Sequence, residues 1–442
     1  MTLENNTVFP ALLYTVADAQ RTEKYVVVMK VSYKINRLSE NQWDLELIED
    51  GSIPLCLADE YWGEIGKSSV KIESDLAPFK PKCDVIINGS AYSKNEKPVS
   101  AIAVRIRLSV PKQHQALIPP KIPQPLNPKM PLTESQKKQW IKEQQLYEAQ
   151  LVRQKNIEYV SQLEKTLSVL GESHFEQNIL LPGWKRTRLA AFVACPIRWE
   201  YTFGGHHFLK KNDNDLTPVL NEACYTNPLG CGWVDSSYFE CCEKVNHYKS
   251  KTEKLKNFKI IKAPRVEQYL QRQKKPAFID QAKKGKLEKV SQMQEIASKY
   301  PFIPAGFGFI GRSWLPRIAY AGTYDQKWLD EQHPYPPFDM DYRYWNGAPE
   351  DQQIEVFNPA SKLELWNLVH PNFSDDGYLC VHFKGHQPLA TICCEDATQE
   401  EVALKTETVL IDTDQMTISL THKVVIDKQP ESITLIRLDL VN

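Results

Sequence analysis

The sequence predicts a mainly β fold of the α+β class: an antiparallel, β-sandwich-like core carrying two helical insertions. Three observations point there. In "AIAVRIRLSV", Ile102, Val104, Ile106, Leu108 and Val110 alternate with Arg105, Arg107 and Ser109, the period of two that puts apolar side chains on one strand face. In "QMTISLTHKVVI", Met416, Ile418, Leu420, Val424 and Ile426 alternate with Thr417, Ser419, Thr421 and Lys423 after the turn-like "DTDQ". The runs "KYVVVMKVSYKI" and "CDVIINGSAY" are rich in β-branched residues and end in polar or glycine clusters.

In chain order, residues 1–120 read as the N-terminal part of the β core. Residues 121–171 hold most of the Pro-rich "IPPKIPQPLNPKMP", which begins at Ile118, and continue as one long helix, with Thr133 and Gln136 spaced as a capping box, no interior Gly or Pro, and Gly171 as its stop. Val160, Leu163, Leu167 and Leu170 form its apolar stripe. Residues 172–242 continue the core. Residues 243–300, with "KSKTEKLKNFKIIK" and "QAKKGKLEKVSQMQEIASKY", read as a basic, helix-prone insertion whose charges face solvent. Residues 301–442 complete the β core, with "ETVLI" as ladder partner of the strand after "DTDQ".

The chain has 442 residues, 42% hydrophobic and 25% charged, with a net charge of −1. That is an ordinary globular composition, not one built to coat nucleic acid or anionic lipid. The N-terminus lacks the basic and uninterrupted apolar regions of a signal peptide, and no apolar run reaches membrane-spanning length. The ten cysteines show no C-x-x-C spacing, which fits reduced thiols in a cytoplasmic protein.

Gly306-x-Gly308-x-x-Gly311, with Asp330 and Glu331 further on, spells a dinucleotide-binding turn. That motif needs an entering strand and a departing helix, and Pro301, Pro304 and Pro316 oppose both. "CVHFKGH" would put Cys380, His382 and His386 on one strand face as a metal site, but Lys384 shares that face. His206 and His207 point apart in an extended chain. In "FDMDYRYWN", Asp339 and Asp341 share a strand face as an acid/base pair would, with Arg343 placed to neutralise them. No recognised catalytic motif is present, and neither cofactor nor metal is expected.

What remains is an ordered series of Gly-, Pro- and aromatic-rich loops, beginning with "DEYWG" at Asp59. "SSVKIESDLAPFKPKCDVIINGSAY" contains Asp75, Lys80, Asp84 and Gly89; "PIRWEYTFGG" contains Glu200, Gly204 and Gly205; "NPLGCG" contains Asn227, Pro228 and Gly230. "PAGFGFIGRSWLPR" supplies Gly306, Gly308 and Arg317, "AGTYDQKW" supplies Gly322 and Thr323, and "FDMDYRYWNGAPEDQ" supplies Asp339 and Asp341. In this order the blocks resemble the bacterial domain of unknown function 2169 family, an accessory family of type VI secretion loci. The resemblance covers the chain apart from the two insertions. It departs from the family pattern at the long helix, at the basic segment, and at "LTHK", where the family tends to carry a Trp-Arg pair.

The resemblance implies a non-catalytic adaptor or chaperone that binds a secreted effector and helps load it onto the VgrG/PAAR spike. The motif positions would then be structural or partner-binding, and no nucleic acid, membrane or small-molecule substrate is expected. The insertions are natural places for cargo specificity. The alternative is a carbohydrate-binding or hydrolytic β protein with a cleft around Asp339 and Asp341.

Overall fold

The computed structural model describes residues 1–40, 42–112, 134–155, 158–177, 183–206, 208–212, 215–218, 224–235, 260–279, 290–299, 302–428 and 433–441. The β-branched run of "KYVVVMKVSYKI" forms the strand Glu23–Ser39, the spine of a seven-stranded sheet. Ala11–Ala17 and Thr417–Asp427 flank it antiparallel, and Gln42–Leu47 folds back on its far end. Lys405–Asp412, which contains "ETVLI", pairs antiparallel with Thr417–Asp427 as the alternation predicts. Cys83–Asn88 then joins in parallel, and Gln353–Ile354 pairs antiparallel at its far side.

A second, five-stranded antiparallel sheet runs Val266–Gln268, Tyr159–Leu170, Ala101–Pro111, Lys362–Trp366 and Tyr378–His382. Val27, Met29 and Val31 from the large sheet and Val104, Ile106, Leu108 and Leu363 from this one are fully buried in one cluster. A four-stranded sheet, which includes Gln387–Cys394 and Ile433–Val441, adds Ala390, Ile436 and Leu438. The core is thus sandwich-like and mainly β. Each buried aliphatic side chain contributes about 1.5–3 kcal/mol relative to remaining in water.

The long helix is shorter than its sequence suggests. It spans Glu134–Lys155, while Tyr159–Leu170 is a strand laid antiparallel against Ala101–Pro111. Leu163 and Leu167 lie four apart, a spacing that keeps two residues on one face in either structure. Lys165 stands between them and hides the period of two, and a register irregularity between Ser161 and Leu163 puts Val160 out of phase. Val160 is half exposed, whereas Leu163, Leu167 and Leu170 are buried. The open ladder of Ala101–Pro111 decides the outcome, because its peptide groups need partners. Gly171 ends this strand, its N–H donating to Ser100 O at 2.9 Å.

The segment around residues 243–300 also differs from the helical expectation. Its described parts hold three strands, Ile260–Lys262, Val266–Gln268 and Ala277–Ile279, each paired into a sheet of the body, before the helix Val290–Ser298. The Pro-rich stretch, Thr133, His207, Cys241, Cys242 and the lysine-dense parts at 249–259 and 281–289 lie outside the described residues.

Candidate functional site

A strand offers two faces, and on the large sheet both are buried. One face is the hydrocarbon core. On the other, Lys30, Lys80, Lys423 and Arg317 meet Asp75, Asp84, Glu407 and Glu73, every one of them at most 7% exposed. The strands Glu23–Ser39, Cys83–Asn88 and Thr417–Asp427 supply Lys30, Asp84 and Lys423 from below. The loop before Cys83 supplies Glu73, Asp75 and Lys80 from above, and Arg317 comes from the loop that begins with the glycines.

The partners interlock. Asp75 pairs with Lys30 and accepts from Cys56 N–H at 2.7 Å and from Thr421 O–H at 2.8 Å. Lys80 Nζ donates to Asp84 at 2.8 Å and to Thr408 Oγ1 at 2.9 Å, while its backbone N–H donates to Glu407 at 3.0 Å. Asp84 also accepts from Asn346 Nδ2 and Gly347 N–H, both at 2.9 Å. Lys423 pairs with Glu407 at 3.3 Å and donates to Ala77 O. Arg317 pairs with Glu73 and donates to Ile310 O at 2.6 Å and Tyr344 O at 2.9 Å. Burial works against the Lys80 and Arg317 charges, but Asp84 beside one and Glu73 beside the other hold both groups above their ordinary range. Burial pushes Lys423 down despite Glu407.

This layer is a fastening rather than a reaction centre in its geometry. The cavity enclosed among Lys30, Asp75, Lys80 and Lys423 has room for about one water molecule. Unpaired charges there would be costly, so the pairs fix the covering loops in one position.

The other motif positions serve the same loops. Glu200 accepts from Ser69 N–H at 2.8 Å and its hydroxyl at 2.7 Å, and Asp59 pairs with Arg312 at 3.1 Å. Asn227 donates to Trp199 O at 2.8 Å beside the buried Pro228. Gly204 and Gly230 pass so closely that a Cβ on Gly204 would stand 2.5 Å from Gly230 Cα. Gly89 abuts Thr413, Gly205 abuts Trp233, and Gly306 and Gly308 lie over the Trp199 indole. No strand occurs between 302 and 316, and the element that follows the glycines directly is the 3-10 turn Arg317–Tyr320, so the strand–turn–helix context of a dinucleotide fingerprint is not formed there.

Asp339 and Asp341 do not share a strand face; Asp339 lies in a turn and Asp341 is the N-cap of the 3-10 helix Tyr342–Trp345. Asp339 accepts from Thr323 N–H at 2.9 Å and its hydroxyl at 2.7 Å, next to Gly322 with its φ of +83°. Asp341 accepts from Arg343 N–H at 2.9 Å and pairs with the Arg343 guanidinium at 2.6 Å. Those donors hold both carboxyls below the usual carboxylate range.

The strand of "CVHFKGH" stops at His382, which packs against Tyr159. His386 stacks on Tyr33, and Lys384 pairs with Asp44 at 2.8 Å. Among the described residues no group of three His, Cys, Asp or Glu side chains is arranged to hold a metal ion.

Sequence reasoning missed Lys30, Glu73, Glu407 and Lys423. A lysine inside a β-branched run, as in "VVVMKVSY", was the available signal: it marks a charge on a strand with little exposed surface.

Beside the sealed layer lies an open groove of about 880 Å³. The strand Tyr159–Leu170, the helix Val290–Ser298 and the 303–316 loop border it, with Ile303 64% and Tyr269 49% exposed. Lys165, on its floor, donates to Asp351 and Gln352 at 2.7 Å each, and burial lowers its ammonium pKa.

The fold and this fastening define a mainly β scaffold whose covering loops are clamped by buried ion pairs. The chain belongs to a family described as uncharacterized protein conserved in bacteria (DUF2169), whose model matches residues 20–118 and 152–423. The interruption spans most of the helix Glu134–Lys155. No curated protein and no solved structure matches the chain. No helix among the described residues is long and apolar enough to cross a membrane.

Proposed function

We propose that the protein is a non-catalytic adaptor or chaperone that holds a secreted effector in the cytoplasm and helps deliver it to the VgrG/PAAR spike of a type VI secretion apparatus. One observation carries the reading: the ionic residues are sealed inside as a clamp, while the glycine loop borders an open, partly apolar groove. An adaptor needs a stable surface of moderate affinity that can later release its cargo. The groove, with Ile303 and Tyr269 on its rim, supplies apolar area of that kind.

The test is co-purification of the tagged protein from its own bacterium with mass spectrometry of what stays bound. Recovery of an effector or spike protein, lost in Ile303→Asp/Tyr269→Asp, is the expected result. A chain that retains no such protein in either form would sink the proposal.

A further inference from the structure

The seven-stranded sheet ends on one side at Ala11–Ala17, which pairs only with Glu23–Ser39. Two bonds fix the phase of that ladder: Lys30 N–H donates to Pro10 O at 3.0 Å, and Asp18 N–H donates to Thr22 O at 3.1 Å. Between these ends the register runs without a bulge. Leu12, Tyr14 and Val16 therefore turn their peptide groups toward Glu23–Ser39, and Ala11, Leu13, Thr15 and Ala17 turn their N–H and C=O outward. No hydrogen bond from the described residues reaches those outward groups. The strand and the chain on both sides of it lie within residues 1–40, all described.

Other edges carry charge, which discourages pairing with a further strand. Gln42–Leu47, on the far end of Glu23–Ser39, holds Asp44 and Glu46; Gln399–Ala403, at the edge of the four-stranded sheet, holds Glu400 and Glu401. Ala11–Ala17, "ALLYTVA", has neither a charge nor a proline. Its Leu12, Leu13, Tyr14 and Val16 are only half-buried and Thr15 is exposed. A strand that covers it must itself be uncharged, since a charge laid against these side chains loses water without gaining a partner.

The strand is such a partner for its own image. Turned antiparallel about Tyr14, a second copy puts Ala11 opposite Ala17 and Leu13 opposite Thr15 as hydrogen-bonded pairs. Leu12 then stands beside Val16, and Tyr14 beside Tyr14, in the pairs between them. Every outward peptide group meets another outward group. Asp18, just past the strand, falls opposite Pro10 and is already paired with Lys24 at 3.9 Å, so like charges do not meet.

We propose that the protein forms a two-fold dimer in which Ala11–Ala17 pairs antiparallel with the same strand of a second copy, joining the two seven-stranded sheets into one. The inference rests on this edge alone and stands apart from the cargo reading.

Sedimentation velocity of the full chain over a hundredfold dilution tests it. A species of twice the chain mass is expected, dissociating on dilution. Thr15→Pro removes one outward N–H and no ladder bond, and Thr15→Lys adds a charge to the edge; each weakens the dimer at least tenfold. Gln399→Lys, on the edge of the four-stranded sheet, leaves it within twofold. Under mild oxidation Tyr14→Cys yields a disulfide between the two substituted positions, mapped by mass spectrometry. A monomer at every concentration overturns the proposal, as does a dimer that survives both Thr15 variants. Circular dichroism confirms that the variants keep the fold.

Discussion

The two faces of the seven-stranded sheet are buried to the same degree and by opposite means. On one, Val27, Met29, Val31, Val85 and Ile87 exclude water with hydrocarbon. On the other, Lys30, Asp75, Lys80, Asp84, Glu407 and Lys423 exclude it with paired ionisable side chains. Hydrocarbon packs against any neighbour of the right shape, whereas buried charges tolerate only partners in the right place. The apolar face therefore provides cohesion and the ionic face provides position. It is the ionic face that the family's loops cover.

The sharpest way to break this comparison is to unpair one buried charge. Asp84→Ala leaves Lys80 without its counter-charge and the Gly347 amide without its acceptor, and takes one of two acceptors from Asn346; it is expected to cost about 3–5 kcal/mol, read as a shifted urea midpoint. Ile87→Ala on the other face of the same strand should cost about 2–5 kcal/mol. If Asp84→Ala costs under about 1 kcal/mol, the layer is solvated and the distinction collapses.

Removing both members of a pair should hurt less than the single changes imply. Lys423→Met strands Glu407, and Glu407→Gln leaves Lys423 without its counter-charge. In the double variant both charges are gone, so a double-mutant cycle should return a coupling of up to about 3 kcal/mol. Strict additivity would show that the two groups do not sense one another.

A third test uses the histidine placed on the wrong side of this division. His422 lies on the strand that carries Lys423, is 1% exposed, and its only side-chain hydrogen-bond partner among the described residues is the Thr406 hydroxyl at 3.1 Å. Burial pushes its imidazole down to about 3. The unfolded chain takes up a proton near pH 6.5 that the folded chain refuses, so stability is full above that pH and is lost as pH falls toward 3. Between pH 7 and 5 the loss is about 2 kcal/mol, since about 1.5 units of the window are crossed at about 1.4 kcal/mol each. His422→Leu should flatten that part of the stability profile; an unchanged slope would assign it to other groups.

How much of this the sequence disclosed follows from the same comparison. The strands around 101–110 and 405–426 were legible because alternation reports that two faces differ. Alternation does not report whether the polar face meets water or another loop, and here Ser419, Thr421 and Lys423 on that face are all buried. The strand Tyr159–Leu170 was hidden for a related reason: Lys165 occupies an inward position, and without it the remaining leucines fit a helix. Asp75, Lys80 and Asp84 were recognisable as motif residues, but their pairing across more than 300 residues to Glu407, Thr408 and Thr421 is a property of the fold alone.

The smallest effect belongs to the pair of carboxylates that most resembled an active site. Asp339 and Asp341 hold turn amides near the surface, where water replaces a lost partner at little cost. Asp339→Asn and Asp341→Asn keep an acceptor for the Thr323 and Arg343 amides, so each should lower stability by no more than about 1 kcal/mol. Their combined effect should be close to the sum, because each carboxylate has its own donors. A loss rivalling that of Asp84→Ala would mean that position in these loops is fixed from the surface inward, and the roles assigned to the buried and exposed carboxylates would have to be exchanged.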